Sequence, residues 1–458
     1  MKKLPAEIFK AYDIRGIVGK TLTEDIVHAI GQAIGSEAIA RQQTTIAVGY
    51  DGRLSGLSLS QALADGMMAS GVNVIDIGMV TTPMGYFAGY HLKCNNAVVV
   101  TGSHNPPDYN GLKMVVAGET LFGPAIQALR ARIEQQQFSR GQGKLTKQDI
   151  SADYIERIAS DVKLKRPIKI VVDAGNGVAG RYAPDVYRKL GCQVTTLFCD
   201  VDGKFPNHHP DPSKPENLSD VIHALQTTGA ELGLAFDGDG DRLGVVTKDG
   251  EIIYPDRQLM LFAEDVLSRH PGAEIIFDVK CTRNLAPWIT QHGGKPVMWK
   301  TGHSLIKAKM KESGALLAGE MSGHTFFKER WYGFDDGIYA GARLLEILSR
   351  ADNGNALLKN LPNAVSTPEL NLQVTEGEQF SLIEKLQQTA RFARAKEIIK
   401  IDGLRVEYSD GFGLARASNT TPVIVLRFEA DNSQALKNIQ EDFRQVILQA
   451  KPQAVLPF

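Results

Sequence analysis

Short apolar runs rich in β-branched residues alternate with helix-length amphipathic segments through the first three quarters of the chain. Residues 45–48, 72–77 and 97–100 form one set of such runs. Residues 168–172, 193–198 and 232–236 form a second, and 274–277, 296–299 and 315–318 a third. Strand-length runs separated by helical segments predict βαβ units and a largely parallel sheet in each set. In every set the third run leads directly into a polar loop. The three loops are Thr101-Gly102-Ser103-His104-Asn105-Pro106, Asp237-Gly238-Asp239-Gly240-Asp241-Arg242 and Gly319-Glu320-Met321-Ser322-Gly323-His324. Open α/β sheets bind ligands beyond the carboxyl ends of their strands, so the three loops are expected to form walls of one cleft. Three independent domains with unrelated loops are the competing arrangement.

After about residue 364 the rhythm changes. Strands are expected at 372–374, 404–408 and 423–428, with a helix at 381–393. A final helix places Leu436, Ile439, Phe443 and Ile447 on one stripe. Strands that follow one another without an intervening helix indicate an α+β module. The pattern therefore predicts three repeated, mixed or parallel α/β domains (1–149, 150–252 and 253–363) and a C-terminal α+β domain (364–458) around one central cleft.

Composition narrows the function classes. With 51 Lys+Arg against 52 Asp+Glu, the net charge is −1, which removes the electrostatic ground for a general nucleic-acid or anionic-membrane binder. Apolar residues at 43% suit several ordinary cores. Cys94, Cys192, Cys199 and Cys281 form no CxxC pair, so no disulfide framework is expected. The opening residues carry charges where a secretory segment would be apolar, and no run approaches the ~18 apolar residues of a spanning helix. The expected address is the cytoplasm.

The second loop presents Asp237, Asp239 and Asp241 at alternate positions with glycines between. Carboxylate oxygens suit a hard divalent cation such as Mg²⁺, and glycine lets the backbone fold around it. An EF-hand needs Gly at position six and Glu at position twelve; Arg242 and Lys248 stand there instead. In the first loop, Ser103 and His104 would point to opposite faces of an extended backbone, which disfavours a nucleophile–base pair. A Gly-x-Ser-x-Gly elbow is missing, since Thr101 occupies its first position. Ser103 is either a phosphoryl carrier, with Lys113 and Arg15 as nearby cations, or a capping serine. Arg416-Ala417-Ser418-Asn419-Thr420-Thr421-Pro422 offers a guanidinium fork and neutral donors suited to a phosphate, or else a hairpin turn held by its own side chains.

Gly175-Asn176-Gly177-Val178-Ala179-Gly180 is a literal GxGxxG after a strand, with Asp200 twenty residues further on. It occupies the position of residues 49–52 and 278–281 in the other repeats, and is taken as a tight strand-to-helix turn. A nicotinamide-dependent dehydrogenase resting on these glycines and a non-catalytic sugar-phosphate sensor are the competing functions. His208 and His209, in a Pro-rich stretch, are expected to be structural. Trp331-Tyr332-Gly333-Phe334 is either core or a pivot between domains.

Taken together, the four motifs in this order resemble the α-D-phosphohexomutases, over nearly the whole chain. The Gly-Glu-Met-Ser-Gly-His and Arg-Ala-Ser-Asn-Thr-Thr-Pro loops and residues 9–16 are most similar to the bacterial phosphomannomutase/phosphoglucomutase branch. The resemblance implies interconversion of hexose 1-phosphate and 6-phosphate through phosphorylated Ser103 and a hexose 1,6-bisphosphate. It implies one Mg²⁺ per chain on Asp237, Asp239, Asp241 and a phosphoserine oxygen, and glucose 1,6-bisphosphate as activator. His104, Lys113, Arg15, Arg242 and His303 would join Ser103 in catalysis, Lys113 or His303 moving the proton. Glu320 and Ser322, within the loop that includes Met321, Gly323 and His324, would contact sugar hydroxyls. Arg416, Ala417, Ser418, Asn419 and Thr420 would hold the non-reacting phosphate, and Tyr12 and Lys280 would line the cleft. Partners are then small hexose phosphates, with no nucleic acid or membrane, and the chain a monomer.

Overall fold

The structure, a computed structural model, describes residues 4–419 and 421–458. In the first sheet Thr45–Tyr50, Asn73–Met79 and Ala97–Val100 run parallel, as their apolar runs predict. The second sheet is built the same way from Lys169–Asp173, Gln193–Leu197 and Leu232–Phe236. The third uses Glu274–Asp278, Lys295–Trp299 and Leu317–Gly319. Central strands such as Ala97–Val100 and Leu232–Phe236 are buried at every position, which explains their unbroken apolar character.

Each sheet adds a strand the apolar pattern does not reveal. Tyr109–Val116, Leu243–Thr247 and Thr325–Phe327 return antiparallel beside the third parallel strand. The three polar loops are therefore hairpin connections, fixed at both ends by ladder hydrogen bonds. Tyr109–Val116 escapes sequence reading because Asn110, Gly111 and Lys113 interrupt its apolar run.

The C-terminal sheet is antiparallel, ordered Val365–Ser366, Val423–Ala430, Gly411–Ala417, Leu404–Glu407 and Glu397–Ile399. Leu370–Gln373 also pairs with Val423–Ala430. Gly411–Ala417 was not expected as a strand, because glycines weaken strand propensity. A Cβ at Gly413 would come within 2.4 Å of the Phe443 ring, so the residue lets the last helix lie close to the sheet. That helix, Ser433–Ala450, buries Ile439, Phe443 and Ile447 as predicted, with Leu436 at the margin. The helix expected at 381–393 spans Glu378–Thr389. Its start is set by the Glu378 carboxylate, which accepts from the N–H and hydroxyl of Thr375.

One apolar cluster runs through all three repeats. At its centre Trp331 stacks on Tyr339 at 4.2 Å and lies 6.3 Å from both Phe87 and Tyr154. Trp331 is thus both core and inter-repeat junction. The C-terminal sheet attaches mainly by polar ties. Arg405 donates to the carbonyls of Val279 and Cys281 at 2.6 and 2.7 Å, and Thr282 to Glu429 at 2.7 Å.

The GxGxxG segment is a turn leading into a short 3-10 helix, Val178–Arg181. A Cβ at Gly180 would lie 2.3 Å from the Cys199 carbonyl oxygen, and one at Gly177 would lie 2.9 Å from the Gly238 backbone. These glycines allow stretches of protein backbone to meet, Gly177 against Gly238 and Gly180 against Cys199. His208 bonds Asp173 at 3.0 Å, and His209 bonds the His104 carbonyl. Both histidines support the loops, as expected.

Removing the junction ring is expected to loosen all three repeats together. Trp331→Ala should cost about 3–5 kcal/mol, measured as a lowered midpoint for the first transition in urea.

Candidate active site

Ser103 lies in the left-handed region at φ +48°, a conformation that non-glycine residues seldom adopt. Its surroundings hold it there. The Asp51 carboxylate accepts from the Thr101 hydroxyl at 2.8 Å and from the Gly102 N–H at 3.1 Å. The buried Arg53 guanidinium donates to the carbonyls of Ser103, Asn105, Pro106 and Tyr109 at 2.6–2.9 Å. The strained turn also corrects the expectation that Ser103 and His104 diverge. With a left-handed rather than extended backbone, Ser103 Oγ lies 3.2 Å from His104 Nδ1. Burial and the nearby Arg242 push the imidazole well below its usual pKa, so it faces Ser103 uncharged. Among the described residues no carboxylate hydrogen-bonds to that ring, so the pair lacks the orienting group of a hydrolase triad.

Ser103 Oγ also donates to Asp237 Oδ2 at 3.0 Å, joining the first loop to the second. A Cβ at Gly238 would lie 2.3 Å from the Ser103 carbonyl oxygen, so only glycine allows this approach. Asp237, Asp239 and Asp241 are fully buried, with carboxylate oxygens within 4.8 Å of one another. Lys113 reaches them from Tyr109–Val116, donating to Asp239 at 2.8 Å and to Asp241. Thr82 donates to Asp239 at 2.6 Å.

Burial presses all three carboxylates upward in pKa. Lys113 outweighs it at Asp239, and Lys113 with His324 does so at Asp241, holding both below the ordinary range. Asp237 is pushed well above that range by burial and by its two neighbours. Asp239 Oδ1 is buried without a hydrogen-bond partner, and Asp241 Oδ1 meets only His324, at 3.3 Å. All-oxygen donors with an orphaned acceptor fit a hard divalent cation such as Mg²⁺.

The third loop meets the second directly. His324 lies 3.3 Å from both Asp241 and Glu320 and 2.9 Å from Ser322 Oγ. Burial lowers its pKa, but Asp241 and Glu320 overcome this and raise it to about 9. Glu320 accepts from the Gly302 N–H, the Met321 N–H donates to Asp278 at 3.2 Å, and Gly323 turns the loop at φ +104°. Arg242 lies 3.4 Å from His324 Nε2 and 3.8 Å from Asp237. His303 is buried with Nδ1 unpartnered, and burial and Lys307 push it well below its usual pKa.

Tyr12 bridges to the C-terminal sheet, donating to the Thr301 carbonyl at 2.8 Å and accepting from Asn419. Arg15 contacts Asp13 and Asn105, beside the serine loop. Lys280 pairs with Glu369 at 2.8 Å. Arg416, at the end of Gly411–Ala417, donates to Asp402 at 3.0 Å. Ala417 ends that strand, and Ser418 Oγ lies 2.9 Å from Thr421 Oγ1. The turn therefore combines local side-chain bonds with a guanidinium. Thr420 lies outside the described residues.

Ser103, Lys113, Asp237, Asp239, Asp241, Arg242, Glu320, Ser322 and His324 are thus linked by hydrogen bonds and ion pairs across the first three repeats, and Tyr12 ties Asn419 to Thr301 beside them. Sequence reasoning missed the supports: Asp51, Arg53, Thr82, Asp278, Asp335, Glu369 and Asp402. Their partners are distant in sequence, and the local signal was Asp51 and Asp278 within the turns that match the GxGxxG segment, with Arg53 just after the first.

Comparison with known proteins gives matches across the chain. Phosphoglucomutase/phosphomannomutase alpha/beta/alpha domains I, II and III match residues 6–140, 152–250 and 254–365. The C-terminal domain of the same family matches 369–446. The chain is 60% identical to the phosphoglucomutase of Neisseria meningitidis serogroup A, covering all of both. It is 57% identical to the phosphomannomutase/phosphoglucomutase of Pseudomonas aeruginosa PAO1, over 99% of this chain and 98% of that one. The crystal structure of a phosphoglucomutase/phosphomannomutase family protein from Burkholderia thailandensis matches with a TM-score of 0.95 at 61% identity, covering 99% of this chain and 100% of that one.

Mg²⁺ at about 100 times its Kd should stabilise the protein by roughly 2.7 kcal/mol, read as a rise in Tm. Asp239→Asn, which replaces an anionic oxygen with a neutral amide, should remove most of that rise with far-UV circular dichroism unchanged. A wild-type Tm indifferent to Mg²⁺ and to a chelator would count against the cation site.

Proposed function

The chain belongs to the phosphoglucomutase/phosphomannomutase family, and from that membership we propose that it interconverts the 1- and 6-phosphates of glucose and mannose through phosphorylated Ser103. Hexose phosphate mutases are isomerases, and the chemistry needs a carrier that both gives and receives a phosphoryl group. The observation that carries this reading is Ser103 itself: a strained serine, anchored by Arg53, with its hydroxyl on a buried carboxylate cluster.

In this reading the sugar hydroxyl oxygen attacks the phosphorus of phospho-Ser103, the serine Oγ–P bond breaks, and the hydroxyl proton passes to His303, which burial keeps uncharged, while Lys113 is held protonated by Asp239 and Asp241 and cannot accept it. The product is a hexose 1,6-bisphosphate. After it turns around, Ser103 Oγ takes the other phosphoryl group and the sugar oxygen regains a proton. Asp237, Asp239 and Asp241 would hold Mg²⁺ together with a phosphoserine oxygen, and such an ion neutralises charge on a transferring phosphoryl group. Arg15, Arg242 and Lys113 supply positive charge around Ser103, and His104 packs against its hydroxyl. Glu320, Ser322 and His324 meet sugar hydroxyls, and Arg416, Ser418 and Asn419 hold the phosphate that is not reacting, with Tyr12 and Lys280 beside it. Glucose 1,6-bisphosphate would act as activator by rephosphorylating Ser103.

The corresponding domains are 1–149, 150–252, 253–363 and 364–458. In this reading each of the four supplies residues to the site, so that one chain completes it and the protein acts as a monomer on hexose phosphates; the cytoplasm is the proposed location.

Intact mass spectrometry of freshly purified protein should find a phosphoryl group on the peptide containing Ser103. Ser103→Ala should lower mutase turnover by several orders of magnitude, and wild-type turnover in that variant would overturn the assignment. Arg416→Ala should raise KM for glucose 1-phosphate and mannose 1-phosphate by similar factors. Loss of a charge-assisted pair corresponds to about 1.5–3 kcal/mol, or roughly 10- to 150-fold. A large loss with one sugar alone would assign Arg416 to the sugar.

A further inference from the structure

A cavity of about 610 Å³ opens between the first and third repeats, and none of the four motif loops lines it. Its walls are aromatic. Tyr90 stacks on Tyr332 at 4.8 Å, Tyr332 on Phe334 at 5.8 Å, and Tyr86 lies 5.6 Å from Phe334. Tyr90 keeps 47% of its surface exposed, although its ring is part of this wall. One end of the cavity is polar. The Tyr86 and Ser304 hydroxyls are buried there without hydrogen-bond partners. Lys307 Nζ sits 4.2 Å over the Tyr86 ring and pairs with Asp335 at 2.9 Å.

We propose that this cavity is a second binding site, separate from the cleft, for a small ring-bearing molecule with one anionic group. The size falls in the range of small-molecule pockets, whose lining is typically apolar with a few convergent polar groups. The stacked rings supply a flat apolar surface for a ring system. Lys307 supplies the positive charge, and the Tyr86 and Ser304 hydroxyls lie unpartnered just behind the lining surface at that end. The site also has a path to the cleft. Asp335 stands 3.9 Å from His303 and 3.9 Å from His324, so an anion that draws Lys307 away from Asp335 changes the field on both histidines. Occupancy therefore couples to hexose phosphate binding through differential contacts rather than through overlap.

The test uses the full chain and 8-anilinonaphthalene-1-sulfonate, a two-ring-system monoanion whose fluorescence rises in apolar surroundings. Saturable binding of one dye per chain is expected. Ala308 lines the cavity and is exposed, so Ala308→Phe fills the space without disturbing a core. That variant should weaken the dye at least tenfold and keep wild-type mutase kinetics. Lys307→Met should weaken the dye at least tenfold while binding uncharged N-phenyl-1-naphthylamine as tightly as wild type. Saturating dye should shift KM for glucose 1-phosphate several-fold in wild type and not in Ala308→Phe. Wild-type dye affinity in Ala308→Phe would place the dye elsewhere and overturn the site. Undiminished dye affinity in Lys307→Met would overturn the anion assignment, and unchanged kinetics with dye bound would overturn the coupling. Dye binding is read by fluorescence, so its failure is distinguishable from a failure of the mutase reading.

Discussion

Three carboxylates within five residues, all out of contact with water, repel one another and lose hydration together. The rest of the cleft answers that cost. Lys113 reaches in from an antiparallel strand of the first repeat, His324 from the third, and Ser103 and Thr82 donate hydrogen bonds. Each compensating group comes from a different stretch of chain, so satisfying the acidic loop also fixes how the first and third repeats sit on the second. The compensation is incomplete, since Asp239 Oδ1 has no partner. The space that suits a cation is the space the fold leaves uncompensated.

The serine loop illustrates a second use of buried charge. A left-handed serine is unfavourable by itself. Asp51 and Arg53 overcome this by taking up the loop's N–H and carbonyl groups, and Arg53 alone donates to four carbonyls. A hydroxyl held this way loses little freedom when it meets a ligand, which is the condition for in-line transfer. Among the described residues Arg53 makes no hydrogen bond or ion pair to Asp237, Asp239 or Asp241 or to residues 319–324, yet it bonds the Ser103 carbonyl and holds the serine turn.

The attachments between domains divide by chemistry. The three repeats share one continuous apolar core around Trp331, a contact that favours a single rigid arrangement. The C-terminal sheet is held mostly by guanidinium-to-carbonyl and hydroxyl-to-carboxylate bonds around residues 279–283, with a small apolar contact from Phe412 and Leu414 to Val279. Polar, smaller interfaces are the ones at which domains shift. Arg416, bonded to Asp402, and Asn419, bonded to Tyr12, belong to this polar attachment.

The local pattern of apolar and polar residues was enough to place the parallel strands, the last helix, the three polar loops and the turn-like character of the GxGxxG segment, because each depends on neighbours a few positions apart. It identified Asp237, Asp239 and Asp241 as a cation site, and Ser103 as a phosphoryl carrier or capping residue, for the same reason. It did not reveal the antiparallel return strands, since Tyr109–Val116 and Gly411–Ala417 are interrupted by residues that face the cleft or a helix. Nor could it foresee that Ser103 turns toward His104, since that geometry is imposed by Asp51 and Arg53 fifty residues earlier. Tertiary structure also decided which polar groups meet: Lys113 with Asp239, His324 with Asp241, and Tyr12 with Asn419. Those pairs are separated by 83 to 407 residues, and their energy depends on burial, which exists only once the whole chain has closed around them.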